Sequence, residues 1–489
     1  MDLDEKRIQQ IVSRVVSRLG IEGDASSLAP STTAAAPAVH RQPGAAPSVK
    51  GFPRGSMGVF PSIDAAVAAA RRAYEAYGHQ PLSLRERVVQ AMRDVTLRHV
   101  RELSEYAHVE TGLGRVDDKI KKNTLAASRT PGVERLKPEA FTGDHGLTLI
   151  EWAPYGVIGS ITPTTNPTET IINNGIGFAA AGNGAVFNVH PSARGVSAWH
   201  IHLLNEAIVG AGGPPNLLTT IAEPSIASAN EMMNHEGVRL LVVTGGPAVV
   251  GAAMRTSKKV IAAGPGNPPV VVDETADLRR AAQGILRGAS FDNNVICCDE
   301  KEVFACAGIF DQLRRELKGV GCYELSSSQM SRLTKHIIHD GHAAKDFVGK
   351  NVSTIVDSIG LKVGDDVRLA FAVVDNDHPL VHTEQLMPIL PLVKVKDVDE
   401  AIAEAKRAEN GRGHTSSVYS RNIDVMHRMA REMDTCIFVK NGPHVTGLGS
   451  EGEGFTSWTI AHPTGEGLTC VEHFVRSRRC ALQGYFRIV

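Results

Sequence analysis

Apolar and polar positions along this chain alternate between two rhythms. Short apolar runs read as strands, and longer stretches with apolar residues every three or four positions read as helices. The first periodic stretch is residues 1–19. Ile8, Ile11, Val12, Val15, Val16 and Leu19 share one face, while Lys6, Arg7, Gln9, Gln10, Arg14 and Arg18 lie elsewhere and Gly20 ends the pattern. This predicts a short amphipathic helix. Residues 20–55 lose the rhythm and become rich in Ala, Pro, Ser and Gly, as in Ala34-Ala35-Ala36-Pro37, the composition of a flexible linker. A tethered helix of this length cannot bury its apolar stripe alone. It docks on another protein, folds back on its own body or pairs with a second copy.

The body starts near Val59. Residues 63–77 and 83–111 carry helical spacing, and 143–152 reads as a hairpin turning at Asp144-His145-Gly146. Predicted strands 156–161, 184–189, 239–243 and 270–273 then alternate with predicted helices 167–181, 196–210 and 247–256. A second alternating stretch runs from 278 to about 460. Such alternation implies an α/β fold with parallel sheets covered on both faces. The tail from Cys470 ends in alternating apolar residues after a basic Arg476-Ser477-Arg478-Arg479, and is expected to add a strand to a neighbour.

Composition narrows the function without choosing it. The chain has 489 residues, enough for two or three domains. Lys+Arg total 52 against 53 Asp+Glu, a net charge of −1, so no nucleic-acid or membrane partner is expected. The longest apolar stretch, 171–187, is interrupted by Asn173, Asn174 and Asn183 and spans no membrane. The segment 1–19 lacks the continuous apolar core of a secretory signal. The seven cysteines are odd in number, with no C-x-x-C pair, so free thiols are expected. The histidines His190, His382, His414, His444 and His462 show no metal spacing, and no metal is expected.

Four stretches carry candidate chemistry. Cys297 follows a polar turn, Ser290-Phe291-Asp292-Asn293-Asn294, and precedes a strand-like run from Glu302 to Ala305. Cysteine is the strongest side-chain nucleophile near neutral pH, although most cysteines are simply small buried hydrophobes. Val243-Thr244-Gly245-Gly246-Pro247 leads a strand into a helix start, where backbone N–H groups hold phosphates well. Thr162-Pro163-Thr164-Thr165-Asn166-Pro167 sets an amide before a helix. Asn166 either donates to a developing oxyanion, caps that helix, or both. Glu384 offers a carboxylate for ribose hydroxyls or a surface ion pair.

In this order and at these separations the four stretches resemble the aldehyde dehydrogenase superfamily over roughly residues 55–470. The closer resemblance is to its CoA-acylating branch, the propionaldehyde and acetaldehyde dehydrogenases of bacterial microcompartments. It rests on Asn293-Asn294-Val295-Ile296-Cys297-Cys298-Asp299-Glu300-Lys301-Glu302, on Ser160 to Pro167, and on Pro463-Thr464-Gly465-Glu466-Gly467. The resemblance implies Cys297 as nucleophile and Asn166, with the Cys297 backbone N–H, as oxyanion ligand. It further implies Thr162, Pro163, Thr164, His190, Thr244, Gly245, Gly246 and Glu384 around the NAD cofactor, and coenzyme A as cosubstrate. It implies a Rossmann-like NAD-binding domain over 56–265, a catalytic domain over 266–468, and a β oligomerisation arm from 136–153 and 469–489. A homodimer or homotetramer follows by analogy. Residues 1–19 resemble the encapsulation peptides that dock such enzymes to microcompartment shell or core proteins, which would place the protein in a microcompartment lumen within the bacterial cytoplasm.

The departures point to chemistry. Hydrolytic members carry Glu-Leu-Gly-Gly-Lys-Asn-Pro, whose Glu activates water. Here the run is Ala262-Ala263-Gly264-Pro265-Gly266-Asn267-Pro268. Losing that base while keeping the nucleophile favours attack by a thiol, whose pKa of about 8.5 leaves some thiolate at pH 7. The expected activity is oxidation of a short aldehyde, propionaldehyde before acetaldehyde, to the acyl-CoA. A hydrolytic enzyme or a catalytically inert scaffold are the alternatives. His190 stands where many members have Lys, and the closing glycine of the nucleotide turn falls at Gly251 after Val250, leaving NAD against NADP open.

Overall fold

The computed structural model describes residues 45–46 and 48–489. The expected helix over 1–19 and most of the expected linker lie outside the described residues. The linker's end differs from expectation. Ala46 is buried, Phe52 stacks on Tyr106 with ring centroids 4.5 Å apart, and Val49 N–H donates to the Tyr106 hydroxyl at 3.3 Å. One aromatic and a few small residues are enough to fasten this stretch to the helix Val100–Thr111.

Two parallel sheets form the body. The first has six strands in the order Val59–Phe60, Leu218–Ile221, Gly184–Asn188, Val157–Ile161, Val238–Thr244, Lys259–Ala263. Its order reverses at Val157–Ile161, whose later neighbours lie one on each side. Ligands in open α/β sheets bind at the carboxyl ends beside such a switch point. The second sheet has seven parallel strands, with Ile389–Val395, Glu302–Cys306, Pro269–Val272 and Thr415–Tyr419 adjacent at its centre. A third, three-stranded sheet pairs the hairpin Glu139–Gly143/Gly146–Pro154 with Val475–Gln483, antiparallel throughout. The expected final strand therefore adds to the chain's own hairpin.

Some expected elements shift. The helical stretch 83–111 is two helices, Leu82–Arg98 and Val100–Thr111, broken at His99. The helix Val116–Arg129 was not expected, because its sequence is polar on every face. It is nevertheless held inside: Asp118, Lys119, Lys122 and Asn123 are buried; the first three bond Asp292 in the loop before Cys297, and Asn123 donates to Ser104 Oγ at 3.2 Å.

Candidate functional site

The first sheet offers its carboxyl edge to a cleft of about 670 Å³. Ile161 pairs with Asn188 on one side and Val243 on the other, so Thr162, Val189 and Thr244 leave the sheet at one level. The helix Pro167–Ala180 begins directly after Asn166, with Pro167 in the first turn. Asn166 is buried but does not cap this helix through its side chain. Its Nδ2 donates to Thr165 Oγ1 at 3.1 Å and its Oδ1 has no protein partner. Thr162 Oγ1 is likewise buried without a partner. The strand Val238–Thr244 passes through Gly245-Gly246 into the helix Pro247–Met254, and a Cβ on Gly246 would meet open space.

The second sheet offers its amino edge. Gly266, Cys297, Glu384 and His414 each lie a few residues before one of its four central strands. Lys301 N–H donates to Pro268 O at 3.0 Å, which joins two of these approaches. Gly266 is needed for another: a Cβ there would sit 2.4 Å from the Cys297 carbonyl oxygen. Its N–H donates to Glu384 Oε1 at 3.0 Å.

The turn before Cys297 has a feature the sequence reading missed. Asp292, Asn293 and Asn294 are all left-handed, with φ of 46°, 57° and 66°. Each is pinned by its own side chain. The Asp292 carboxylate accepts from Lys122 Nζ at 2.6 Å, Lys119 Nζ at 2.9 Å and Arg115 N–H at 2.7 Å. Asn293 accepts from Arg115 Nε at 2.8 Å and donates to Asn351 Oδ1 at 2.9 Å. Asn294 donates to Ala289 O and Glu300 O, both at 2.9 Å, and accepts from Lys301 Nζ at 2.5 Å. The signal was present in the triplet itself, since Asp and Asn tolerate left-handed backbone best after Gly.

Cys297 is partly exposed and lines the cleft; Cys298 is buried. Burial, with the Glu384 carboxylate next in effect, pushes the Cys297 thiol up to about 12. Burial also raises Glu384, against the pull of Lys301. His190, at the exposed rim, is lowered by burial and by Lys345. All ten residues expected at a site (Thr162, Pro163, Thr164, Asn166, His190, Thr244, Gly245, Gly246, Cys297 and Glu384) line this one cleft. Lys345, Trp458 and Leu386 line it too and were not expected. Of the other histidines, His444 is buried and bonded to Cys298 O and Ser417 Oγ, and His414 is buried against His462 with rings 5.0 Å apart.

A cleft between a switch-point edge and a thiol-bearing edge belongs to α/β enzymes that hold a nucleotide against a cysteine. The profile of the aldehyde dehydrogenase family matches residues 58–320 and 369–455, and the chain belongs to that family. Among relatives, acetaldehyde dehydrogenase (acetylating) EutE of Salmonella typhimurium is 52% identical over 88% of this chain and 94% of its own length. Propanal dehydrogenase (CoA-propanoylating) of Citrobacter freundii is 43% identical over 88% and 94%. A solved structure of Rhodopseudomonas palustris propionaldehyde dehydrogenase, with bound CoA and an acylated cysteine, aligns with a TM-score of 0.86 at 46% identity, covering 87% of this chain and 98% of that one.

Proposed function

We infer that the chain is a CoA-acylating aldehyde dehydrogenase that oxidises a short aliphatic aldehyde and transfers the acyl group to coenzyme A. One observation carries the choice of acceptor: among the described residues lining the cleft Glu384 is the one carboxylate, and it is tied to Gly266 N–H. Ala262, where hydrolytic members carry their base, is buried in the strand Lys259–Ala263 and bonded through its N–H to Thr464 Oγ1. No carboxylate stands at the Ala262 position to pull a proton from water for deacylation, whereas a thiol needs less help.

In this reading Cys297 adds to the aldehyde carbon, and Asn166 holds the resulting oxyanion through its amide. The side chain can do this through Nδ2, which has one proton left after bonding Thr165. The dinucleotide, when bound, accepts the hydride. The unpaired Thr162 hydroxyl, the open space at Gly246 and the helix start at Pro247 suit its phosphates, and Glu384 suits a ribose hydroxyl. The acyl group stays on Cys297 as a thioester until coenzyme A takes it. The first sheet then serves as cofactor domain and the second as catalytic domain. Acetylating relatives match at 44–52% identity and propanoylating ones at 43–44%, so two- and three-carbon aldehydes are both candidate substrates.

Steady NADH formation from acetaldehyde or propionaldehyde should require coenzyme A and yield the acyl-CoA. Equal turnover without it, giving the free acid, would sink the acylating reading. A solved propionaldehyde dehydrogenase from the fucose utilisation microcompartment of Clostridium phytofermentans aligns with a TM-score of 0.87 at 42% identity. With the amphipathic segment 1–19, this supports a place in a microcompartment. Deleting 1–19 should leave turnover in solution intact and abolish co-purification with shells; unchanged co-purification would remove the docking role.

A further inference from the structure

Thiolysis leaves a proton to be accounted for. The coenzyme A thiol must lose one to attack the thioester, and the Cys297 sulfur must gain one to leave as a thiol. Besides Cys297, the titratable groups lining the cleft are His190, Lys345 and Glu384. Lys345 is an exposed side chain that offers donors and no acceptor. His190 stands at the rim within the field of Lys345. Glu384 is different. Its Oε1 takes the Gly266 N–H at 3.0 Å, and Gly266 is packed so tightly on Cys297 that a Cβ would lie 2.4 Å from that residue's carbonyl oxygen. Gly266 thus links the carboxylate to the Cys297 backbone, the Glu384 charge acts on the Cys297 thiol, and among the described residues lining the cleft Glu384 is the one carboxylate.

We propose that Glu384 serves both half-reactions, holding ribose in the first and, in the second, shuttling the coenzyme A thiol proton to the departing Cys297 sulfur. The proposal rests on the acylating reading above. With the dinucleotide gone, the Glu384 oxygen not bonded to Gly266 is open to the cleft. It takes the thiol proton as the coenzyme A sulfur bonds to the acyl carbon. The tetrahedral adduct collapses, the carbon–Cys297 sulfur bond breaks, and Glu384 returns the proton to that sulfur. The products are acyl-CoA, Cys297 thiol and Glu384 carboxylate, with no change of oxidation state. Burial favours both transfers: it raises Glu384 toward the thiol it must deprotonate, and it makes an unprotonated Cys297 a poor leaving group. The charged groups facing Glu384 are Lys301 and Arg412, which pull it down, with Cys297 on the cleft side. His414, behind Gly266, is a weaker candidate. It is fully buried, does not line the cleft, and burial drives it well below the ordinary histidine range.

The test isolates the second half-reaction. Acyl-enzyme is made with aldehyde and NAD, freed of dinucleotide by gel filtration, and mixed with coenzyme A. Loss of the acyl group is followed by intact mass, per acyl-enzyme loaded. Glu384→Gln should slow thiolysis by about 100-fold or more at pH 7. Its rate should climb about tenfold per pH unit toward the thiol's own pKa of about 8.5, and Glu384→Asp should recover part of the loss. Equal rates and equal pH profiles for wild type and Glu384→Gln would overturn the proposal. Should the variant not load, the wild-type profile decides. An acid limb set by a group titrating below the thiol supports the shuttle, and a rate that tracks thiol ionisation alone overturns it. Failure of the acylating reading looks different: wild-type acyl-enzyme would release free acid without coenzyme A.

Discussion

Asp292 shows how this chain sets up a reactive cysteine. Three consecutive left-handed residues cost on the order of 1–3 kcal/mol each, and such a run persists only where its surroundings hold it. Here two lysines from one helix converge on a single buried carboxylate. Replacing Asp292 by Asn keeps a residue that tolerates left-handed backbone and removes only the charge. Buried Lys119 then lacks a counterion and Lys122 keeps only Glu169 at 3.5 Å, an expected loss of about 3–5 kcal/mol, read as a lower Tm or urea midpoint. The pH dependence has a defined sign. The lysines hold Asp292 below the usual carboxylate range, so its contribution is fully present above the unfolded value of about 3.9. It is lost as pH falls through the lower folded value. The gap between wild type and Asp292→Asn should stay level from pH 7 to 5 and close only below about 4. Matching midpoints at pH 7 would mean that the lysines do not depend on this carboxylate.

The helix Pro167–Ala180 is buried on all sides, and its three neighbouring asparagines explain how. Asn173 accepts from Trp458 N–H at 2.9 Å and donates to Thr130 Oγ1 at 2.8 Å. Asn174 accepts from Thr459 Oγ1 at 3.1 Å. Asn183 holds the chain entering the preceding strand, Val157–Ile161, by accepting from Tyr155 and Gly156 N–H. Asn173→Leu should cost about 1–3 kcal/mol by stranding the Trp458 N–H. Because Trp458 lines the cleft, the aldehyde KM should rise more than the NAD KM; an equal rise in both would detach Trp458 from the aldehyde. The same residues mark what the sequence could reveal. Apolar periodicity located this helix and three of the six strands of the first sheet, the central ones, because burial there is set by local pattern. The ten cleft residues were legible through the resemblance their motifs bear to a known family. The helix Val116–Arg129 was not, because its buried lysines are satisfied by partners some 170 residues away, and no local window contains them. The three left-handed residues were legible in principle from the Asp292-Asn293-Asn294 triplet, but the partners that hold them were not.

The three-stranded sheet raises a question that one chain cannot answer alone. The strand Val475–Gln483 pairs along its whole length with Gly146–Pro154 on one side, and its other edge is free among the described residues. Nearly every residue of this strand is exposed, as are Phe141 on the hairpin and Tyr485, Phe486, Ile488 and Val489 beyond it. A long open edge with apolar side chains beside it is a template for another strand, and proteins seldom leave one bare. The expected occupant is a second copy, in a homodimer or homotetramer. Phe474 is where the body ends, since its ring packs on Phe178 at 4.8 Å between centroids. A chain truncated after Phe474 should therefore keep its folded core while its mass by light scattering falls to that of a monomer. A truncated chain that still runs at the mass of the full assembly would place the interface elsewhere on the body and leave the open edge to a different partner.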